Sequence, residues 1–466
     1  MKMWSGRFRQ PLDPDFERWQ RSFDFDRRLL THELAASRAH AHALKGAGIL
    51  TPDELLSMVR GLDQIGQQSA SPEFLDDPEA EDVHHFVEKQ LVAIIGETGY
   101  KLHSGRSRNE QIATDLRLYV RAALDQLRAD LAEWCDALLV RAEEAGNAAM
   151  PAYTHLQRAE PVLVSHWLLA YVEMFLRDAG RLADCRKRLN LSPLGSGAVA
   201  GATLPLDRRA MAAALDFEGA TANSLDATSD RDFILEFVNA LSLIAMHLSR
   251  WAEEMILFSS QEFGYVHLPE AYSTGSSAMP QKKNPDLLEL TRGKAGRVTG
   301  AATTLLITLK GLPLAYNKDL QETQEPLFDT TDTVLALLPL ASGWMKAVEF
   351  NHERMQDAAE SGFMNAWAAA TYLVKRGVPS RLSHEVVGKA VRLCLESDRE
   401  LQDLSLEELR SFHSAFDQDF YRCLTLDAVL AVHDVPGGTA PARVRQAIAD
   451  ARQRVEFIRE GAHAHA

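Results

Sequence analysis

Apolar residues recur every three or four positions over stretches longer than an ordinary globular helix. Leu116, Val120, Leu124, Leu127, Leu131, Trp134 and Leu138 form one such stripe. Phe233, Phe237, Leu241, Ile244, Leu248, Trp251, Met255 and Phe258 form another. This spacing puts the apolar side chains on one face of a helix. Stripes of this length predict a long bundle or the helical core of an assembly. A third long helix is expected from Pro161 through Val162, Leu168, Val172 and Leu176, because proline in a first helical turn sacrifices no hydrogen bond. A fourth is expected from Pro285 past Val298 to Leu309, and a fifth from Glu325 to Val348. No alternating pattern is long enough for a substantial sheet, which leaves only short hairpins in loops. The predicted fold class is all-α, with a long central five-helix bundle.

The flanks are broken more finely. Gly46, Gly48, Pro52, Pro72 and Pro78 interrupt the first part, and Gly377-Val378-Pro379 and Pro436-Gly437-Gly438 interrupt the last. The expected division is three helical domains, at 1–105, 106–357 and 358–466, with shorter helices in the outer two. A chain of 466 residues buries enough surface to need neither disulfide nor metal for stability. Its formal net charge of -15 disfavours nucleic acid and anionic membranes as partners. A local cationic pocket would still suit a small anion. Cys135, Cys185, Cys394 and Cys423 form no close pair, so neither a zinc site nor a disulfide framework is expected, and a cytoplasmic setting is the default. Cys135, beside Trp134, reads as a core residue. The opening MKMWSGRF lacks an apolar leader, and no run of about eighteen apolar residues predicts a membrane span. The tail from His463 to Ala466 reads as a frayed terminus rather than a metal site.

Helical bundles say nothing about chemistry. Three polar islands between the stripes do. Arg106-Ser107-Arg108-Asn109-Glu110-Gln111 precedes a long helix, where guanidinium groups and the positive helix end suit a carboxylate, though a capped, solvated helix start fits equally well. Tyr153-Thr154-His155-Leu156-Gln157 holds a histidine among hydroxyls and an amide. Such a histidine is able to transfer protons near neutral pH, although a lone histidine ahead of a helix is more often structural. Gly275-Ser276-Ser277-Ala278-Met279-Pro280-Gln281-Lys282-Lys283-Asn284-Pro285 combines hydroxyls, lysines and an amide in an aperiodic loop. Loops of that kind act as lids.

The last island closely resembles the signature loop GSSxMPxKxNP of the fumarase/aspartase superfamily, and the other two follow in that superfamily's order. Met3-Trp4-Ser5-Gly6-Arg7-Phe8, Ser107 to Gln111, Tyr153 to Gln157, Tyr316-Asn317-Lys318-Asp319-Leu320-Gln321-Glu322 and Gly437-Gly438-Thr439-Ala440-Pro441 resemble the argininosuccinate lyases, to which the lens δ-crystallins also belong. The resemblance spans nearly the whole chain. It implies elimination of arginine from argininosuccinate through an aci-carboxylate dianion, leaving fumarate, as a step of arginine biosynthesis. It also implies no cofactor, no metal, and a homotetramer whose bundles pack together and whose active sites are shared between subunits.

Carried over residue by residue, the resemblance makes Ser276 and His155 the acid/base pair, with Ser276 preferred as base. Lys282 and Asn284 become binders of the reacting carboxylate, and Glu289 orients His155. Ser22, Arg108, Asn109, Thr154, Tyr316 and Gln321 become substrate contacts. Asp82 and His84 lie in a segment that contributes to the site in relatives, with helix capping as the alternative. Gln324 stands where the family usually carries lysine. That loss of a cation predicts a higher KM, with Lys318 as a possible compensator. The rivals are another lyase of the superfamily (adenylosuccinate lyase, aspartase or fumarase) and a catalytically silent structural protein on the same fold. A metal enzyme using His84-His85 or His40-x-His42 is a third, and neither pair shows a known metal-site pattern.

Overall fold

The structure is a computed structural model and describes residues 10–463; the Met3–Phe8 segment and the His463–Ala466 tail side chains lie outside it. In chain order the helices are α1 (Pro14–Trp19), α2 (Phe23–Asp26), α3 (Leu30–Gly46), α4 (Pro52–Gln68), α5 (Val83–Ile95), α6 (Arg108–Ala145), α7 (Val164–Leu189), α8 (Arg208–Ala214), α9 (Ser224–Ala227) and α10 (Asp232–Phe258). There follow α11 (Asp286–Leu309), α12 (Gln324–Ala347), α13 (His352–Ala359), α14 (Ala366–Lys375), α15 (Ser380–Ser397), α16 (Leu406–Phe412), α17 (Phe420–Cys423), α18 (Leu426–Ala431) and α19 (Pro441–His463). The strands are β1 (Ala149–Thr154), β2 (Gln157–Leu163), β3 (Leu191–Ser192), β4 (Gly219–Ala220), β5 (Val266–His267), β6 (Thr274–Gly275), β7 (Lys283–Asn284) and β8 (Glu349–Phe350). Among the described residues they pair only as β1–β2, β3–β4, β5–β8 and β6–β7.

The class is all-α, as the stripes predict. α6, α7, α10, α11 and α12 are the five long helices. Two departures stand out. Pro161 lies in β2, opposite Pro151, and α7 starts only at Val164. Prolines are tolerated at strand positions that donate no ladder bond, so this segment folds as a hairpin. The expectation of uniformly short C-terminal helices also fails at α19, which has 23 residues. Val444, Ile448, Ala451, Val455 and Ile458 recur at helical spacing along it, and Val444, Ala451 and Val455 are buried. α19 is also tied down by Arg452 to Glu143 and by Arg454 to Glu173.

The described residues form two compact units, and the boundary falls within each of the five long helices. One unit holds the residues up to Leu124, Arg181–Ser242 and Arg297–Asp332. Its core joins Ala36 and Ala39 of α3, Leu118 of α6 and Met211 of α8. α4 starts with a capping box, in which Thr51 and Glu54 satisfy each other's backbone N–H. The other unit holds Asp125–Gly180, Leu243–Gly296 and the residues from Thr333 onward. Trp134, Trp251 and Trp344 stack edge to face at its centre, with centroids 5.0 and 5.2 Å apart. α14, α15 and α17 form a separate apolar cluster around Leu373, Val387 and Phe420.

α10 is long and apolar enough, by length and composition, to cross a membrane, contrary to the expectation that no segment is. Its apolar residues Phe237, Leu241, Ile244, Leu248 and Trp251 are fully buried in protein, as in the core helix of a bundle.

Candidate active site

His155 and Leu156 form the two-residue loop of the β1–β2 hairpin, because Thr154 pairs with Gln157. Their φ values are 55° and 58°. Two left-handed residues in succession give the type I′ turn, whose twist matches a hairpin. That turn favours Asn-Gly, and each non-glycine residue there costs about 1–2 kcal/mol. Strain of this kind persists where a side chain must be presented in one direction. His155 and Thr154 are both exposed at the tip, and Leu156 is 70% exposed. We expect Leu156→Gly to raise the thermal-denaturation midpoint, by relieving about 1 kcal/mol of this strain. A lowered midpoint would mean that the leucine side chain is anchored after all.

The signature loop is closed at its base. β6 and β7 pair Thr274 with Asn284 and Gly275 with Lys283. The Asn284 amide donates to Thr274 Oγ1 and to the Gly275 carbonyl, both at 3.3 Å, so it braces the loop. Thr274 also bonds to Asp286 at the start of α11. Inside the loop the Ser276 Oγ accepts from the backbone N–H of Ala278 at 3.3 Å and of Met279 at 3.1 Å. These two dipoles would stabilise negative charge on that oxygen. The exposed Lys282 donates its backbone N–H to the Met279 carbonyl at 3.1 Å, while the Lys283 ammonium bonds to the Leu268 carbonyl at 3.2 Å. Glu289 is exposed in the first turn of α11. Among the described residues no hydrogen bond joins His155, Ser276 and Glu289.

The other candidates fall in the unit that contains α2, α5 and the start of α6. Gly105 enters this region with φ 68°, and a Cβ there would come within 2.8 Å of Leu204, so glycine is required at that turn. Arg108, the first residue of α6, bonds to Glu81 at 3.2 Å and Asp82 at 2.9 Å. Asp82 also caps α5 by accepting from His85 N, so it has the helix-capping role. Asn109 donates to the Ala198 carbonyl at 3.2 Å. Ser22 is buried, and its hydroxyl donates to Asp26 at 2.6 Å. Burial, with Asp82 close by, pushes the Asp26 carboxyl up to about 7. Gln321 donates to the Gln20 carbonyl at 3.2 Å. Gln324 is buried at the start of α12, and its Oε1 lacks a partner. The exposed Lys318 makes no contact that would replace a lysine at 324.

The sequence did not single out Arg231. It is 2% exposed. Its Nη1 donates to the Asp230 carbonyl at 2.8 Å, and its Nε and Nη2 have no partner. Burial pulls the guanidinium down to about 10, with Tyr316 and Asp230 acting in the opposite direction. Tyr316, raised chiefly by burial, also feels Asp82, Arg108 and Asp26. Arg231 is therefore a buried cation, still charged at neutral pH, beside residues already singled out for binding. A buried charge without a counter-ion is costly, and an anionic ligand would remove that cost.

Glu33, His84 and Asp115 bring ligand atoms within 4.8 Å of one another, all buried. The donor types suit a divalent cation. The guanidinium of Arg106, 3.7 Å from Glu33, already supplies positive charge there, so the cluster fits a metal ion poorly.

Residues 6–300 match the family described as lyase. Residues 363–431 match the argininosuccinate lyase C-terminal family. The argininosuccinate lyase of Acidobacterium capsulatum is 60% identical over 97% of this chain and 94% of its own length. That of Koribacter versatilis is 58% identical over 100% of both chains. The crystal structure of EDDS lyase in complex with formate superposes with a TM-score of 0.86 at 26% identity, covering 98% of this chain and 92% of the other. A variant of EDDS lyase with bound fumarate gives 0.85 at 26% identity, covering 98% and 93%. The chain belongs to the argininosuccinate lyase family, within the fumarase/aspartase superfamily.

Proposed function

We propose that this protein catalyses the reversible β-elimination of argininosuccinate to arginine and fumarate, as a step of arginine biosynthesis. The observation that carries the site reading is the pair of loop N–H groups on Ser276 Oγ. A serine hydroxyl is a poor base, and such donors lower the cost of its alkoxide. Ser276 takes the proton from the carbon beside a substrate carboxylate. The electron pair moves into that carboxylate as an aci-dianion, which Lys282 stabilises as a fixed cation. The dianion collapses, the C–N bond breaks, and His155 protonates the departing guanidine nitrogen. Glu289 fixes the imidazole tautomer. Ser22, Arg108, Asn109, Thr154, Tyr316, Gln321 and Gln324 bind the remainder of the substrate, with Asn284 at the reacting carboxylate once the loop engages it. No cofactor or metal enters this scheme.

We infer a homotetramer in which active sites are shared between subunits. Support comes from the lack, among the described residues, of any hydrogen bond joining the acid/base candidates. It also comes from unpartnered apolar side chains on α11, where Leu290, Leu306 and Ile307 are each about 60% exposed. A cytoplasmic setting is supported by four free cysteines. Two tests apply. Fumarate absorbance is followed on mixing the protein with argininosuccinate, adenylosuccinate or aspartate. Release from argininosuccinate alone is expected, and release from one of the others instead would overturn the substrate. Second, inactive Ser276→Ala and His155→Asn proteins are mixed, dissociated and reassembled. Partial recovery of activity is expected from shared sites, and none from sites built within one chain.

A further inference from the structure

Glu33 lies on α3, one turn from its start, and is fully buried. Four groups from three helices and one turn converge on its carboxylate. Ser37 donates from α3 at 2.6 Å. His84, in the first turn of α5, bonds through Nδ1 at 2.9 Å. Gln111, in the first turn of α6, donates at 3.1 Å. Arg106, just before α6, lies 3.7 Å away and also donates to Ser37 at 2.8 Å. Burial alone would raise the Glu33 carboxyl, but His84 and Arg106 outweigh it and hold it at about 2. Asp115 packs on the same knot with neither oxygen accepting a hydrogen bond. Burial, then the charge of Glu33, push its carboxyl well above the usual range. The Glu33 carboxylate is thus the acceptor on which Ser37, His84, Gln111 and Arg106 converge.

What the knot holds is the binding end of this unit. Asp82 immediately precedes α5, and Arg108 and Asn109 open α6. Glu33 touches none of the three. It ties together the two helix ends that carry them.

We propose that Glu33 is a positioning residue for substrate binding, a single buried carboxylate that sets α5 against α6 so that Arg108 and Asn109 meet a substrate carboxylate. The proposal rests on the reading of Arg108 and Asn109 as substrate contacts. Its test is steady-state kinetics on Glu33→Gln, which keeps the shape and loses the charge. The expected result is native circular dichroism, KM for argininosuccinate raised about 10-fold, as loss of roughly 1.4 kcal/mol implies, and kcat nearly unchanged. An unchanged KM in a folded variant, or a loss confined to kcat, overturns the proposal. If Glu33→Gln does not fold, Ser37→Ala removes the hydroxyl that bridges Glu33 and Arg106. It should then raise KM about 3-fold, and an unchanged KM again overturns the idea. Arg108→Ala separates the two layers. If it leaves KM unaltered, the substrate-contact reading itself falls; if it raises KM while Glu33→Gln does not, only the positioning role falls.

Discussion

Ser276→Ala should lower kcat by about three orders of magnitude while leaving KM and the folded structure close to those of the unchanged protein. The size follows from what a positioned base supplies, typically 10²–10⁴-fold. The selectivity follows from the site. Ser276 sits in a loop whose closure depends on the β6–β7 pairing and on Asn284, not on its own hydroxyl. Its Oγ accepts two backbone N–H groups that are near solvent and satisfied by water when the oxygen is gone. Fumarate release measured by absorbance, beside a thermal melt, reads both effects. Full activity in the alanine variant would remove serine from the chemistry and leave His155 as the group to examine.

Arg231→Met should move activity and stability in opposite directions. The guanidinium is buried, has two nitrogens without partners, and keeps its charge at neutral pH. Replacing an unbalanced buried ion with an apolar side chain of similar length is neutral or stabilising, by about 1–4 kcal/mol. Removing a cation from a substrate anion costs about 2–5 kcal/mol of binding, or roughly 10²–10³ in kcat/KM, and that loss is expected here. A higher melting temperature together with greatly reduced kcat/KM is the expected signature. Lower stability with intact kinetics would make Arg231 structural. Strained or unsatisfied residues at working sites often trade stability for activity in this way.

The architecture was largely legible because it is written in periodicity. The stripes at Leu116–Leu138 and Phe233–Phe258 lie wholly inside α6 and α10, and the expected fourth and fifth helices begin and end within a residue of α11 and α12. The hairpin at His155 was not legible. Its turn lacks the Asn-Gly that announces a type I′ loop, and Pro161 reads equally as a helix start. Of the candidate site, the Ser276 loop was legible as a loop because its motif is local. The site was hidden where burial decides the role. Arg231 looks like one more charge in Ser229-Asp230-Arg231-Asp232. One signal was present: it stands three and seven residues before Ile234 and Val238, on the same buried helix face. Glu33 gives no such sign, because all its partners but Ser37 come from α5 and from residues 106 to 115.

The tryptophan stack has an optical consequence. Of seven tryptophans, Trp134, Trp251 and Trp344 are sealed from water, and their indole N–H groups meet no acceptor. Trp19 and Trp367 are 82% and 66% exposed. Among the described rings these three emit at short wavelength from the centre of one unit, and an aqueous quencher reaches Trp19 and Trp367 before them. The protein carries its own reporter of core integrity, one that needs no dye and responds only when water reaches the helices that meet there.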